Sequence, residues 1–284
     1  MIPERAFTHD SILERLRATL ERREPIVAAA AGVGIVAKCA EVAGADLIVV
    51  LASGKSRNMG VPTTVNIGNA TSMTIEMYPE IDNVVERTPI VGGIEATDGS
   101  RRRLSRTIAQ YRELGFDGIS NFPTAGSFPG WGASRKDVGE GIEREYELVS
   151  LARQAGLFTL AHAYVAEDAR ALAAAGADAL VARCGLTIGG MSGAVGVDTS
   201  LEQAAEHVQS LIEAARSESP RVIVLAQGGP FARPADTDFL YERTDAQGIL
   251  GESAIERIPI EEYVSAAIRD LKTQGLSPSA RALA

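Results

Sequence analysis

The sequence predicts a closed (β/α)₈ barrel, on the strength of a recurring phrase and of eight short apolar runs separated by helical patterns along 284 residues. The phrase is Ala43-Gly44-Ala45-Asp46 before LIVVL, Leu114-Gly115-Phe116-Asp117 before GIS, and Ala175-Gly176-Ala177-Asp178 before ALVA. A looser copy, Gln154-Ala155-Gly156, precedes LFTLA. In each, an alanine- or leucine-rich helix ends at a glycine able to take the left-handed conformation. An apolar run then begins, as expected of a strand buried on both faces. Repetition of helix, glycine and buried strand implies parallel strands joined by crossover helices.

In chain order, residues 1–24 read as an amphipathic helical extension, with Ile12, Leu13, Leu16 and Leu20 at helical spacing. It either covers the bottom of the barrel or packs on another subunit. Strands are expected at 26–31, 47–51, 89–93, 118–121, 157–161, 179–182, 222–226 and, weakly, 248–250. Helices are expected at 34–43, within 70–85, and at 101–114, 139–155, 167–175, 200–216, 236–243 and 260–272. Eight such units fit a barrel in a single domain over 1–284, with 277–284 as a flexible tail. The rival is a doubly wound sheet with Gly32-Val33-Gly34 as its phosphate loop. That loop lacks a third glycine and no acidic residue ends the second strand, so no nucleotide or flavin is expected.

A formal charge of −9 argues against nucleic acid as a partner, yet leaves room for a small anion held by local arginines. The two cysteines, Cys39 and Cys184, have no metal-ligand spacing and read as free thiols of a reducing compartment. The charged N-terminus has no apolar signal region, and the most apolar stretch, 26–36, is too short to cross a bilayer. A cytoplasmic protein without a membrane partner is the expectation.

In such a barrel, the residues that follow the strands converge on one mouth. Strand two is followed by Ser53, Gly54 and Lys55, then Arg57. Strand three is followed by Glu95 and Asp98, and strand four by Asn121 and Thr124. Strand five ends at His162 and Tyr164, strand six at Arg183, strand seven at Gln227-Gly228-Gly229, and strand eight at Gly251-Glu252-Ser253. The glycines after strands seven and eight, with Ser253 at a helix start, form the turns where many barrels hold a phosphate. The alternative is a tight turn and a plain N-cap, and Glu252 would repel a dianion if it faced inward.

His162 suits general acid/base work, or is a core histidine bonded to backbone; the residues leave both open. Arg183 could clamp a carboxylate or phosphate bidentately, or pair with Glu95. Of four lysines only Lys55 falls at a strand end, so imine catalysis is not expected elsewhere. Glu95 and Asp98 are the candidate oxygen ligands for Mg²⁺. Residues 56–69 and 124–141, the latter with Trp131, read as long mobile loops serving as lids or assembly contacts.

The stretches VVLASGKSRNMG, GGIEATDG, ISNFPTAG, AQGGP and GESAIERIP resemble the phosphoenolpyruvate hydrolase-like barrel family. That family is also found as the C-terminal part of the tomato mosaic virus resistance protein, and its members are described as phosphonopyruvate hydrolases. More distantly, the order of elements resembles the phosphoenolpyruvate mutase/isocitrate lyase superfamily, whose Ser-Gly turn after strand two matches Ser53-Gly54 and holds a substrate carboxylate. Where that superfamily has paired aspartates after strand three, this chain has Gly93-Ile94-Glu95-Ala96-Thr97-Asp98. Where it has Glu-Asp-Lys after strand four, this chain has Asn121-Phe122-Pro123, its Lys-Cys-Gly-His lid motif is absent, and His162 replaces an arginine.

The resemblance implies a lyase or hydrolase cleaving a C–C or P–C bond of a small phosphonate, phosphate or 2-oxo carboxylate. On that reading His162 moves a proton, Glu95 is base or metal ligand, and Arg183 neutralises ligand charge; the extra N-terminal helix and the Trp131 loop point to a homo-oligomer. A non-catalytic small-anion sensor or assembly module is the alternative. A barrel resembling indole-glycerol-phosphate synthase is a third, and would require Lys55 as its catalytic lysine.

Overall fold

In a computed structural model of the chain, residues 7–63, 67–127, 129–196 and 199–275 are described, with backbone alone at 129 and 131–133. Eight parallel strands close a barrel in sequence order: β1 (Ile26–Ala30), β2 (Leu47–Val50), β3 (Ile90–Gly93), β4 (Gly118–Ser120), β5 (Phe158–Ala163), β6 (Ala179–Arg183), β7 (Ile223–Gln227) and β8 (Gly248–Gly251). The last closes on the first through Val27 opposite Ile249 and Ala28 opposite Leu250. All eight expected strands are present. Three of them run further toward the mouth than their apolar stretches, so His162, Arg183 and Gln227 are strand residues.

The recurring phrase has a physical explanation. Gly44, Gly115 and Gly176 take φ of +93°, +102° and +97° to end their helices. Each following aspartate then accepts a backbone N–H at the start of the preceding strand: Asp46 from Val27 (2.8 Å), Asp117 from Ile90 (2.8 Å) and Asp178 from Thr159 (3.0 Å). These carboxylates satisfy donors at the bottom rim and fix the register between neighbouring strands.

The helices are α1 (His9–Glu21), α2 (Gly34–Val42), α3 (Ala52–Asn58), α4 (Ala70–Asp82), α5 (Leu104–Leu114), α6 (Pro129–Lys136), α7 (Glu143–Gln154), α8 (Ala166–Ala174), α9 (Leu201–Glu218), α10 (Pro234–Arg243), α11 (Ser253–Glu256) and α12 (Ile258–Lys272). Among the described residues none is long and apolar enough to cross a membrane. Two helices correct the sequence reading, because α3 and α6 occupy segments expected to be loops. Glycine and proline content hid both. The α3 helix is fixed by tertiary bonds from Arg57 and Asn58, which no local pattern reveals. Phe128, the side chain of Trp131 and the expected tail at 277–284 lie outside the described residues.

The helical extension closes the bottom of the barrel. Thr8 caps α1 through a reciprocal bond pair with Ser11. Ile12 and Leu16 bury completely among Val49, Leu160, Val181 and Leu225 in the barrel interior. Of the two readings of residues 1–24, the cover is the one seen. Burial of each of these side chains is worth roughly 1.5–3 kcal/mol. Two further apolar clusters fill the layer between strands and helices.

Candidate active site

At the carboxyl ends of the strands lies a cavity of about 480 Å³, walled in part by Ser53, Glu95, Tyr164, Arg183, Gln227 and Ser253. Its floor is a buried ionic chain. The Glu252 carboxylate lies between two guanidinium groups, bonded through Oε1 to Arg183 Nη1 and through Oε2 to Arg57 Nη1 at 3.3 Å. Arg57 Nε donates in turn to Glu256 Oε2 at 2.6 Å. Glu256 Oε1 accepts from Gly32 N (2.6 Å) and Asn58 Nδ2 (2.8 Å), which ties the turn after β1 to α3. Two guanidinium groups and two carboxylates therefore cancel in a place sealed from water, the condition under which burying charge is tolerable.

The chain of bonds also aims hydroxyls. Arg183 Nε donates to Tyr164 Oη at 3.3 Å, and Arg57 Nη1 to Ser53 Oγ at 3.0 Å. A hydroxyl that accepts from a guanidinium directs its own proton elsewhere, and both hydroxyls line the cavity. Arg183 Nη2 has no hydrogen-bond partner among the described residues, while Phe122 and Tyr164 hold the guanidinium 5.5 and 5.4 Å from their ring centres.

Glu95 is the exception to charge balance on the wall. Burial pushes its carboxyl above the usual range, the nearby Asp98 adds to that, and Arg135 partly offsets it. Asp98 faces away from the cavity. Burial acts against its charge, but hydrogen bonds from Asn69 (2.7 Å) and Ser100 (2.8 Å), together with Arg101, outweigh it and lower its pKa.

Several expected site residues fall elsewhere. His162 is 1% exposed, inside β5, and its Nδ1 lies 3.3 Å from Arg183 Nη1. Burial, then the charge of Arg183, holds its pKa well below the ordinary value; the ring bonds to Arg183 through Nδ1, its Nε2 is buried without a partner among the described residues, and the backbone bond of the core-histidine reading is not made by the ring. Asn121 is fully buried and acts as a bracket: Nδ2 donates to Glu145 Oε2 (2.5 Å) and to the His162 carbonyl (3.1 Å), while Oδ1 accepts from His162 N (2.6 Å). Thr124 is also buried, with Oγ1 accepting from Gly126 N at 3.1 Å. Lys55 points to solvent from α3, which removes it as a catalytic lysine.

The glycine turns are filled by protein. A Cβ on Gly228 would lie 2.1 Å from the Gly185 carbonyl oxygen, and one on Gly229 would lie 2.8 Å from that of Cys184. Both glycines exist so that the turns after β6 and β7 can touch, and the atoms facing them are carbonyls, which repel an anion. Gly54 likewise packs on Gly32, and a Cβ on Gly251 would strike the Ile255 side chain. With Glu252 facing inward as well, the phosphate cradle expected after β7 and β8 is corrected to a packed junction. His207 on α9 is half-buried with Nε2 3.2 Å from the Arg183 carbonyl.

Sequence reading named Glu252 only as a possible repellent and missed Glu145 and Glu256. The one signal for the last is Glu252 and Glu256 four residues apart in a short turn of helix, with Arg57 and Arg183 near strand ends to match them.

A closed parallel barrel with a polar cavity at the carboxyl ends of its strands is the architecture of many enzymes of small metabolites. The chain belongs to the phosphoenolpyruvate hydrolase-like family, which it matches over residues 11–273. It is 35% identical over 278 residues to the ToMV resistance protein Tm-1(GCR237) and the ToMV susceptible protein tm-1(GCR26) of Solanum lycopersicum. Those matches cover 95% of this chain and 36% of each relative, so the chain spans about a third of their length. Among solved structures, phosphonopyruvate hydrolase in complex with oxalate and Mg²⁺ superposes with a TM-score of 0.59 at 20% identity, covering 93% of this chain and 88% of that one. The phosphoenolpyruvate phosphomutase of Streptomyces platensis subsp. rosaceus gives 0.60 at 16% identity, covering 95% and 93%. 2,3-Dimethylmalate lyase gives 0.59 at 17%, covering 96% and 90%. These likenesses establish the shared fold.

Mg²⁺ needs several hard oxygen donors. Here Asp98 is turned to Asn69 and Ser100, and of the two carboxylates that line the cavity, Glu95 and Glu252, the latter is neutralised by arginines. Among the described residues no three His, Cys, Asp or Glu side chains gather as a metal site. The residues present do not fit the expected divalent ion.

Proposed function

We propose that the chain is a lyase or hydrolase of a small phosphonate, phosphate or 2-oxo-carboxylate compound, cleaving a C–C or P–C bond in the mouth cavity. The observation that carries this reading is that Arg183, Ser53 and Tyr164 line one cavity, with both hydroxyls held by guanidinium groups. Three donors lining one volume suit a carboxylate or phosphonate, and they are already oriented before the ligand arrives. Gln227, whose Oε1 is buried without a partner, offers an amide to the same ligand.

Glu95 is the proton-transfer group. A carboxyl whose pKa is raised by burial holds its proton more readily, and can give it to a departing carbanion or, once ionised, take one from water. Asn121 and His162 are positioning residues: His162 lies under Arg183, and Asn121 fixes His162 and the turn that carries Phe122. The reaction type rests on the family; the ligand class rests on the donors.

The test is calorimetry with oxalate, phosphonoacetate and pyruvate, followed by a phosphorus and proton NMR screen for turnover of 2-oxo acids and phosphonopyruvate. Tyr164→Phe should weaken binding about ten- to a hundredfold, the loss of one hydrogen bond to a charged group. Glu95→Gln should leave binding within about twofold and abolish turnover. Absence of binding by any of the three anions would overturn the reading. A binding module without turnover is the second reading. It is favoured by the neutral, sealed His162 and the neutralised Glu252, which leave Glu95 as the one carboxylate on the wall without an ion-pair partner at bonding distance.

A further inference from the structure

A second cavity, of about 430 Å³, opens at the start of α5 and shares no lining residue with the mouth cavity. Its walls hold four arginines (Arg101, Arg102, Arg103 and Arg106), no carboxylate and no aromatic side chain. On a chain of formal charge −9 this is a local reversal of sign.

Two of the four cations are matched by acids outside the cavity. Arg102 Nε pairs with Glu140 at 2.8 Å. Arg101 lies 3.9 Å from Asp98, and donates to Gln110 (3.1 Å) and Ser72 (3.2 Å). The guanidinium groups of Arg103 and Arg106 have no ion-pair or hydrogen-bond partner among the described residues, so two of the four positive charges stand unmatched.

The helix adds to this surplus. Arg103 is the N-cap of α5 and its side chain makes no cap, and no acidic residue stands in the first turn. The N–H groups of Leu104 and Ser105 accordingly have no acceptor among the described residues, and the helix end contributes partial positive charge. Thr107 is an independent sign of a ligand. It is 4% exposed, it lines the cavity, and its hydroxyl has no partner among the described residues. A buried hydroxyl beside a cavity takes its partner from whatever fills that cavity.

We propose that this cavity binds the dianionic phosphate group of a small polar molecule, with Arg103 and Arg106 neutralising its charge and Thr107 donating a hydrogen bond to it. Guanidinium forks match phosphate oxygens in geometry as well as in sign. A phosphate group near neutrality carries close to two negative charges, which equals the unmatched surplus. The cavity has room for more than the phosphate, yet no aromatic wall on which a nucleotide base could stack, so the carrier is polar, as a sugar is. This site lies outside the mouth and stands apart from the reaction read there.

Calorimetry on the full chain tests it, with inorganic phosphate and glucose 6-phosphate as probes and glucose as the uncharged control. Both phosphates should bind and glucose should not; the tighter of the two distinguishes a phosphate ester from free phosphate. R103Q/R106Q should weaken both at least about tenfold with unchanged far-UV circular dichroism, and Thr107→Val should weaken both about tenfold. Since the two charges are exposed and unmatched, affinity for phosphate should fall at least about tenfold between 20 and 500 mM sodium chloride. Hydrogen exchange at Leu104 and Ser105 should slow when phosphate is added. No binding of either phosphate at millimolar concentration overturns the proposal. So does an affinity that survives R103Q/R106Q, or bound phosphate that leaves those two amides unprotected.

Discussion

Glu252 is the residue on which the cavity floor depends, since it faces two buried guanidinium groups at once. Glu252→Gln leaves Arg183 without a counter-charge in a site sealed from water, and should cost about 3–5 kcal/mol, read as a shift in denaturant midpoint. A loss below 1 kcal/mol would mean that water reaches the floor. Arg183, Tyr164, Ser53 and Glu95 were legible in the sequence because a barrel brings strand ends together, whatever the loops do. The pairing of Arg57 with Glu252 and Glu256 was not, since those partners lie almost 200 positions apart and only the closed ring makes them neighbours. His162 was legible as a position, while its burial beneath Arg183 was not, because only the closed barrel shows β5 continuing to Ala163 beside β6.

Among the elements, α1 and the bracket around Glu145 make separate claims. Leu16→Ala removes a side chain fully buried in the barrel interior and should destabilise the chain by about 2–5 kcal/mol, measured by urea unfolding. Glu145 is fully enclosed, and burial pushes its pKa to about 8 against hydrogen bonds from Ala125, Thr124 and Asn121. A carboxyl with a raised folded pKa binds more protons folded than unfolded over the interval between the two values. Its contribution is therefore complete below about pH 4.5, the unfolded value, and is lost as pH rises toward 8. Glu145→Gln should flatten the decline in melting temperature across that interval; an unchanged profile would show that the bracket carries its charge at no cost. The helices themselves were legible where alanine and leucine periodicity was strong. They were hidden at α3 and α6, whose short stretches ASGKSRN and PGWGASRK show no apolar periodicity and where tertiary bonds decide.

At the scale of the molecule, the barrel was legible from the phrase built on Gly44, Gly115 and Gly176 because each repeat encodes both a helix stop and a rim contact. The anchoring of α12 through Glu261 to Met191 and Arg257 was not legible, since the pattern of 260–272 marks an amphipathic helix and says nothing of its root. The two cations and two anions of the floor bear on how the whole protein meets its ligand. With those charges cancelled, the cavity projects little field into solution, so capture should owe little to long-range attraction. The affinity for oxalate should change less than about threefold between 20 and 500 mM sodium chloride, and a steep dependence would show that the floor is not neutral. Recognition on these terms is by fit at close range: such a protein selects a visitor by where its oxygens sit, and brine or fresh water makes little difference to the choice.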